Sequence, residues 1–208
     1  VQLMPGLPGD TLETSLRGVQ EILKLRPHIA RLYPTLVIEG TKLAELWRQG
    51  VYHALPINEA VRWCSCLLLM LETGGVPVIR VGIQYGEDLE RSKAVAAGPL
   101  DPSLRHRVES AIYLSLLHHA VGQKTLGQTM LHVKVPPPDV SYLRGLRNEN
   151  IKKLERRWRV QVKVRPDASL PPRSFALDGE EPVVRQARHL PLLLNGDYDS
   201  FPEKELRA

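Results

Sequence analysis

A glycine-rich loop near the start of the chain has residue types that suggest binding chemistry. Gly6, Leu7, Pro8 and Gly9 follow a short apolar stretch, residues 1–4, which is typical of a buried strand that runs into a tight loop. Glycine lets a backbone approach a flat ring or a ribose closely, and α/β barrels bind ligands at the C-terminal ends of their strands. The loop is therefore a candidate ligand contact, with an ordinary strand-to-helix turn as the alternative.

Positive charge is concentrated in the second half of the chain. Residues 142–165 contain nine basic and two acidic residues, an excess of seven positive charges, whereas the whole chain has a formal net charge of +5. This concentration suggests a polyanionic partner; a basic helix face exposed to solvent is the alternative. The candidate contacts to RNA phosphates are Arg144, Arg147, Lys152, Lys153, Arg156 and Arg157.

Other site chemistries find no support in the sequence. The two cysteines, Cys64 and Cys66, lie two residues apart in a predicted helix and point to nearly opposite faces, so they neither pair nor share a metal ion. None of the seven histidines stands in a His-Glu-x-x-His or Cys/His ligand pattern. No nucleophile elbow, Walker loop or dinucleotide fingerprint is present. We therefore assign no metal ligand, and the catalytic residues stay unknown.

The first part of the chain alternates predicted strands and helices. Apolar stretches at residues 1–4, 29–33 and 76–83 are typical of buried strands, and helical periodicity predicts helices over 10–26 and 57–72. This order predicts parallel strands joined by right-handed crossovers. Three strands leave the first one with an open edge, so we expect a missing N-terminal half or a partner chain to pair there.

The rest of the chain is predicted to contain a helix and then a small α/β module. Asp101, followed by proline, is a typical helix start. Downstream, a strand at 130–135, two helices joined by a turn at Gly145, and a strand at 160–164 follow the order of a minimal KH module, which clamps nucleic acid with a GXXG turn. Here Asn148 replaces the second glycine, and asparagine tolerates left-handed backbone better than most residues.

Three stretches together resemble the radical SAM family of the Elongator catalytic subunit and its bacterial relatives. Residues 31–41 combine an apolar strand, an exposed Tyr-Pro-Thr turn and a Gly-Thr pair that opens a short helix, residues 43–50 continue that helix, and residues 3–11 contain the glycine-rich loop. The resemblance implies S-adenosylmethionine as cofactor beside a 4Fe-4S cluster, whose three cysteine ligands we expect upstream of this chain. The cofactor contacts that it implies are Gly6, Leu7, Pro8, Gly9, Tyr33, Arg80 and Gln84.

The expected fold class is α/β. The resemblance implies the C-terminal part of a radical SAM partial (β/α) barrel, followed by a small KH-like α/β module. We expect the C-terminal half of the barrel at 1–84, a helical extension packing on it at 85–124 and the basic KH-like module at 125–168. Residues 169–208 are rich in proline and acids and are expected to be extended or partly disordered.

The resemblance implies part of a radical SAM enzyme that reductively cleaves S-adenosylmethionine, with tRNA or another RNA as the expected substrate. This chain alone lacks the cluster ligands, so we expect it to be inactive by itself. Two alternatives stay open: a non-catalytic RNA-binding or assembly protein with half a barrel, and a radical SAM enzyme that acts on a small molecule. We expect no membrane span, because no apolar run approaches about 20 residues, and a reducing cytoplasmic location.

Overall fold

A computed structural model describes residues 1–83, 94–122 and 129–194. The chain divides into two compact units, Val1–Val108 and Glu109–Ala208. Within the described ranges, no helix combines the length and the apolar character that a membrane span requires.

The first unit is built around a parallel sheet of three short strands. Its elements, in chain order, are β1 (Gln2–Leu3), α1 (Leu12–Lys24), β2 (Ala30–Leu32), β3 (Val37–Ile38), α2 (Lys42–Arg48), α3 (Ile57–Thr73), β4 (Val78–Val81), β5 (Val95–Ala97) and the first residues of α4 (Leu104–Gly122). Strand β2 lies between β1 and β4 and pairs in parallel with both. The predicted parallel strands with helices between them are therefore confirmed, whereas closure into a partial barrel stays a prediction.

Helix α1 begins later than its sequence pattern predicts. Asp10 is the predicted start, with Glu13 as its capping partner. In the structure Thr11 is the N-cap: its hydroxyl accepts a hydrogen bond from the Thr14 N–H at 3.1 Å, and the Thr14 hydroxyl accepts one from the Thr11 N–H at 2.8 Å. The predicted cap was wrong because a threonine fills the position that glutamate or glutamine usually fills in a capping box.

Helix α3 forms the core of the first unit. Leu68 and Leu71 are fully buried, as are Ala30 and Leu32 of β2, the strand that α3 contacts. Burying a leucine side chain contributes about 1.5–3 kcal/mol. The apolar face of α3 therefore packs on the parallel sheet.

The stretch after β2 departs from prediction. We expect an exposed Tyr-Pro-Thr turn there, but Pro34 and Thr35 are buried, and Val37 of β3 pairs antiparallel with Ala97 of β5. This two-stranded ribbon packs around the buried Tyr52. The exposed turn was wrong because β5 covers this stretch from far along the chain, and β5 itself is a strand in a segment predicted to be helical.

The second unit contains the rest of α4 and a four-stranded mixed sheet. Its further elements are β6 (Met130–Val135), α5 (Val140–Arg144), α6 (Glu149–Trp158), β7 (Gln161–Pro166), β8 (Ser174–Leu177), β9 (Val183–Val184) and α7 (Leu190–Leu194). The strand order is β7-β6-β8-β9, with β6 parallel to β7 and antiparallel to β8. The predicted order of strand, helix, turn, helix and strand is observed.

The segment predicted to be an extended or partly disordered tail contributes a central strand to this sheet. Phe175 and Leu177 of β8 are at most 2% exposed, and Leu177 pairs with Val133 of β6. The prediction over 169–208 was wrong for this strand, because a proline-rich and acidic composition concealed a buried stretch of four residues, three of them apolar. Residues 195–208 lie outside the described residues.

A buried group of charges joins β8 and β9 to α4 within the second unit. Glu109 is fully buried, and its carboxylate lies 2.6 Å from Nη1 of Arg185 and 3.1 Å from Nη2 of Arg173. Arg173 also pairs with Asp139 at 3.2 Å, and the Arg185 guanidinium lies 4.8 Å from the ring centroid of Tyr113. The two acids and two arginines balance in charge, which offsets the cost of burying them.

We expect Glu109→Ala to lower the free energy of unfolding by about 3–5 kcal/mol, because Arg185 would stay buried without that carboxylate. Urea denaturation followed by circular dichroism measures the change. The matched control is Glu45→Ala, which removes the exposed partner of Lys42 and should cost less than about 1 kcal/mol. Equal stability of the two variants would contradict the role of Glu109.

Candidate functional site

The glycine-rich loop lies at the C-terminal end of β1 and is anchored by Asp10. The Gly6 N–H donates to Oδ2 of Asp10 at 3.0 Å, and the Ser15 hydroxyl donates to the same oxygen at 2.8 Å. Gly6 itself is buried, whereas the next three residues of the loop are exposed. Of the predicted loop contacts, Gly6 is therefore structural support, and Leu7 to Gly9 are accessible to a ligand.

The conformation of Gly6 is set by two residues far along the chain. The Tyr52 hydroxyl donates to the Gly6 carbonyl oxygen at 2.6 Å, and burial raises the pKa of Tyr52 above its ordinary value. Gly6 has a φ of +87°, and a Cβ there would lie 2.6 Å from Cδ1 of Leu55. Gly9 has a φ of +77° but nothing within 4 Å of a Cβ. Position 6 thus requires glycine both for its positive φ and for lack of space, whereas position 9 requires it only for its positive φ.

Backbone hydrogen bonds bring the ends of the three parallel strands to one edge of the sheet. The Thr35 N–H donates to the Pro5 carbonyl at 2.9 Å, and the Gly82 N–H donates to the Leu32 carbonyl at 2.8 Å. Tyr33, a predicted cofactor contact, directly follows β2 and is half-buried. This edge is the one at which parallel α/β sheets bind ligands.

Thr35 contributes a polar atom at this edge that sequence reasoning missed. Thr35 is 2% exposed, and its Oγ1 has no hydrogen-bond partner within the described part of the chain. An unsatisfied buried hydroxyl costs about 1–3 kcal/mol, so Oγ1 is a candidate ligand contact. The sequence pattern assigns Thr35 and Thr41 to turn or cap roles. That is right for Thr41, whose hydroxyl accepts from the Ala44 N–H at the start of α2.

The last two predicted cofactor contacts lie on or after β4. Arg80 is exposed and in register with Arg31 of β2. Since paired residues of neighbouring strands project to the same side of a sheet, these two arginines share one face. Gln84 lies outside the described residues.

The two cysteines do not fit an iron–sulfur cluster. Cys64 and Cys66 are buried in α3, and burial raises the pKa of both thiols, that of Cys66 to about 12. Cluster ligands are thiolates. Among the described residues there is also no group of three or more His, Cys, Asp or Glu side chains that could hold a metal ion. Cys64 and Cys66 therefore do not fit the ligand set of a 4Fe-4S cluster.

The turn between α5 and α6 is the second candidate site, and it belongs to the second unit. Gly145 has a φ of +71°, and Arg147 and Asn148 are both left-handed, with φ values of +51° and +60°. Asn148 thus adopts a backbone that glycine usually takes, as asparagine can. The turn reaches this conformation without a second glycine.

Asn150, which sequence reasoning missed, holds this turn in place. Its Nδ2 donates to the Ser110 carbonyl at 2.9 Å and to the Leu143 carbonyl at 3.1 Å. A Cβ on Gly145 would lie 2.9 Å from Oδ1 of Asn150. The sequence does contain one feature that could have pointed to Asn150. It is a polar residue four positions before Leu154, on the buried face of an amphipathic helix.

The predicted RNA contacts differ in their exposure. Arg144, Arg147, Lys152, Arg156 and Arg157 are exposed. The Lys153 side chain is only 28% exposed and lies 3.5 Å from the Glu149 carboxylate. Trp158 donates its indole N–H to Nδ1 of His118 at 3.3 Å and so packs against α4, while the Arg157 guanidinium lies 5.6 Å from the centroid of its ring. Lys152 and Arg156 are four residues apart on α6 and share one helix face.

Comparison with known proteins finds a family match that covers most of the first unit. Residues 27–113 match the family model of the Radical_SAM C-terminal domain. A tRNA uridine(34) acetyltransferase of Methanocaldococcus jannaschii is 40% identical over 66 residues, 30% of this chain and 12% of the relative. Human Elongator complex protein 3 is 30% identical over 97 residues, 40% of this chain and 18% of the relative. Elongator complex protein 3 of Schizosaccharomyces pombe is 28% identical over 148 residues, 68% of this chain and 26% of the relative.

Residues 27–113 therefore belong to the radical SAM C-terminal domain family. The relatives extend this assignment to an Elongator-like C-terminal portion, which confirms the resemblance seen in the sequence. The matches span between 12% and 26% of the length of these relatives.

The two loop glycines form a matched pair for testing the anchored loop. We expect Gly9→Ala to lower the free energy of unfolding by about 1–2 kcal/mol through its left-handed backbone alone. Gly6→Ala should cost about 1–3 kcal/mol more, because its methyl group must displace Leu55. Urea denaturation of both variants measures the difference, and equal costs would show that Leu55 does not confine this loop.

Asp10 should make the stability of the first unit depend on acid pH. Partial burial alone would raise the pKa of Asp10, but hydrogen bonds from the Thr14 hydroxyl, the Gly6 N–H, the Ser15 hydroxyl and the Thr11 N–H hold it below its ordinary value. A carboxyl with a lowered folded-state pKa stabilises the fold above its unfolded pKa of about 3.9, and this contribution is lost as the pH falls through the folded-state value.

We therefore expect Asp10→Asn to be less stable than the unaltered chain near neutral pH, and the gap to narrow as the pH falls from about 5 to about 3. Urea midpoints measured across this range test the expectation. A gap that stays constant with pH would mean that ionised Asp10 does not support the loop.

Proposed function

We propose that this chain is the C-terminal part of a radical SAM enzyme that acts on tRNA. The substrate class is supported by a relative that is named a tRNA uridine(34) acetyltransferase. The observation in this chain that carries the proposal is the exposed group of cations around the left-handed turn at Gly145. The matched relatives are much longer than the matched region, so the activity of the whole protein is part of the proposal.

The edge of the parallel sheet is the proposed place for S-adenosylmethionine. Leu7, Pro8 and Gly9 offer an exposed loop with open space beside Gly9, and the buried Thr35 hydroxyl lacks a partner in the described ranges. These features fit a ligand with a ribose and a flat base, whereas Gly6 would act only by holding the loop. When bound beside a reduced cluster, S-adenosylmethionine supplies radical chemistry.

The cluster ligands must come from outside the described residues. Cys64 and Cys66 are buried in the core of the first unit, and within the described ranges β1 pairs only with β2. We propose that another part of the protein, or a partner chain, supplies the cluster cysteines and pairs with the open edge of β1. An open strand edge is a template for such pairing.

The proposed RNA contact is a KH-like clamp. The order of β6, α5, turn, α6 and β7 is that of the minimal module, and Gly145, Arg147 and Asn148 give the turn a left-handed backbone. Arg144 and Arg147 flank the turn, and Lys152 continues the exposed positive surface along α6. Lys153 is a weaker candidate, because it already pairs with Glu149.

Charge removal at the turn tests this proposal. The variant Arg144→Gln, Arg147→Gln, Lys152→Gln should bind an unmodified tRNA transcript about tenfold or more weakly, because three phosphate contacts are lost. The slope of log affinity against log salt should become shallower by about 2. Filter binding at several salt concentrations measures both quantities.

The matched control for the turn variant is Arg17→Gln, Lys24→Gln, Lys42→Gln. It removes the same three charges from exposed positions on α1 and α2 and should bind tRNA like the unaltered chain. Undetectable tRNA binding by the unaltered chain, or equal binding by both variants, would contradict an RNA interface at the turn.

A further inference from the structure

The second unit has a second positively charged surface on its sheet, apart from the turn. Along β6, Leu131, Val133 and Val135 are buried, and the alternate residues His132 and Lys134 project to the other face. The helices α5 and α6 both contact the neighbouring strand β7, and their residues Leu143 and Leu154 are fully buried. The apolar face of the sheet therefore carries the helices, and His132 and Lys134 lie on the opposite face.

The strand register places cations side by side on this opposite face. Lys134 of β6 pairs in register with Arg165 of β7, and His132 pairs with Lys163. Lys163 and Arg165 are exposed. Like charges directly opposite each other on neighbouring strands are unfavourable. An anion bound between Lys134 and Arg165 removes this repulsion, and Lys163 places a further positive charge one rung along the same face.

We propose that this surface, formed by Lys134, Lys163 and Arg165 and called here the sheet-face surface, binds the phosphate backbone of RNA. This inference rests on the proposed function, in which RNA is the ligand of the second unit. The sheet-face surface lies on β6 and β7, whereas the cations assigned to RNA above lie on the turn and its two helices.

The chemistry of the surface favours the backbone of a nucleic acid over its bases. Neither β6 nor β7 contains Phe, Tyr or Trp, the side chains on which bases most often stack. The two rungs are two residues apart, roughly 6.6 Å along a strand, a separation similar to that of successive phosphates in a nucleic-acid chain. Long cations at this spacing form sequence-independent, salt-dependent contacts.

Carboxylates mark the limits of the positive surface. Asp178 lies across β6 from the cations of β7, with its Oδ2 4.0 Å from Nδ1 of His132. Asp167 follows β7 and already accepts hydrogen bonds from the N–H and the hydroxyl of Ser169. The three cations therefore occupy the half of the sheet formed by β6 and β7, and the acids lie at its sides.

Protection of a sheet edge does not explain this arrangement. Charged residues on an edge strand prevent unwanted strand pairing, which would account for Lys163 and Arg165 on the edge strand β7. Lys134, however, lies on β6, which is paired on both sides. The edge at Val162 is also already covered, because its N–H donates to the Glu155 carboxylate at 3.0 Å.

The test is the variant Lys134→Gln, Lys163→Gln, Arg165→Gln in the 208-residue chain. We expect it to bind the tRNA transcript about tenfold or more weakly, with a salt slope shallower by about 2, because three phosphate contacts are lost. Lys134→Arg combined with Lys163→Arg keeps the charges and should retain binding. Circular dichroism checks that all variants are folded, and the triple variant on α1 and α2 serves again as the control for net charge.

The possible outcomes separate this inference from the proposed function. If the turn variant loses tRNA binding and the sheet-face variant keeps it, the sheet-face inference is wrong and the proposed function stands. If only the sheet-face variant loses binding, the inference is supported and the turn is not the interface. If the α1 and α2 control loses binding equally, only net charge matters and the inference fails. If the unaltered chain binds no tRNA, both proposals fail.

Discussion

Each candidate site depends on a glycine whose missing side chain leaves room for the side chain of another residue. At Gly6 the room is taken by Leu55, and the Tyr52 hydroxyl binds the Gly6 carbonyl across 46 positions of sequence. At Gly145 the room is taken by Asn150. Both glycines have positive φ, so a side chain at either position would strain the backbone and displace the neighbour that holds the loop. The loops are thus shaped by contacts with other residues as well as by their own composition.

Elements with strong periodicity could be predicted from the sequence. The pattern predicts a helix over 57–72 and the structure has Ile57–Thr73, because an apolar run of that length between Pro56 and Gly74 has few alternatives. The β3–β5 ribbon could not be predicted, because its strands are two and three residues long and pair across more than 50 residues. The burial of Thr35 follows from that ribbon, so it was hidden for the same reason.

The candidate sites were predictable only where backbone chemistry is local. The left-handed conformation of Asn148 could be anticipated, because it is a property of one residue type in a turn. The role of Asn150 could not, since its amide binds the Ser110 carbonyl 40 positions away. The strand at Ser174–Leu177 was missed because the prediction relied on the average composition of residues 169–208, which does not reveal a short strand. The side chain of Phe175 is fully buried and anchors this short strand in the core.

The number of charged residues along the chain does not predict which surfaces they form. The stretch 142–165 has an excess of seven positive charges, which indicates attraction to a polyanion but not where it binds. The helical repeat keeps Lys152 and Arg156 together on α6, while the strand repeat sends Lys163 and Arg165 to a face they share with Lys134, a residue outside the counted stretch. The number of cations therefore sets the strength of the attraction to a polyanion. Because side chains repeat differently along a helix and along a strand, the cations of α6 and those of β7 form two separate surfaces.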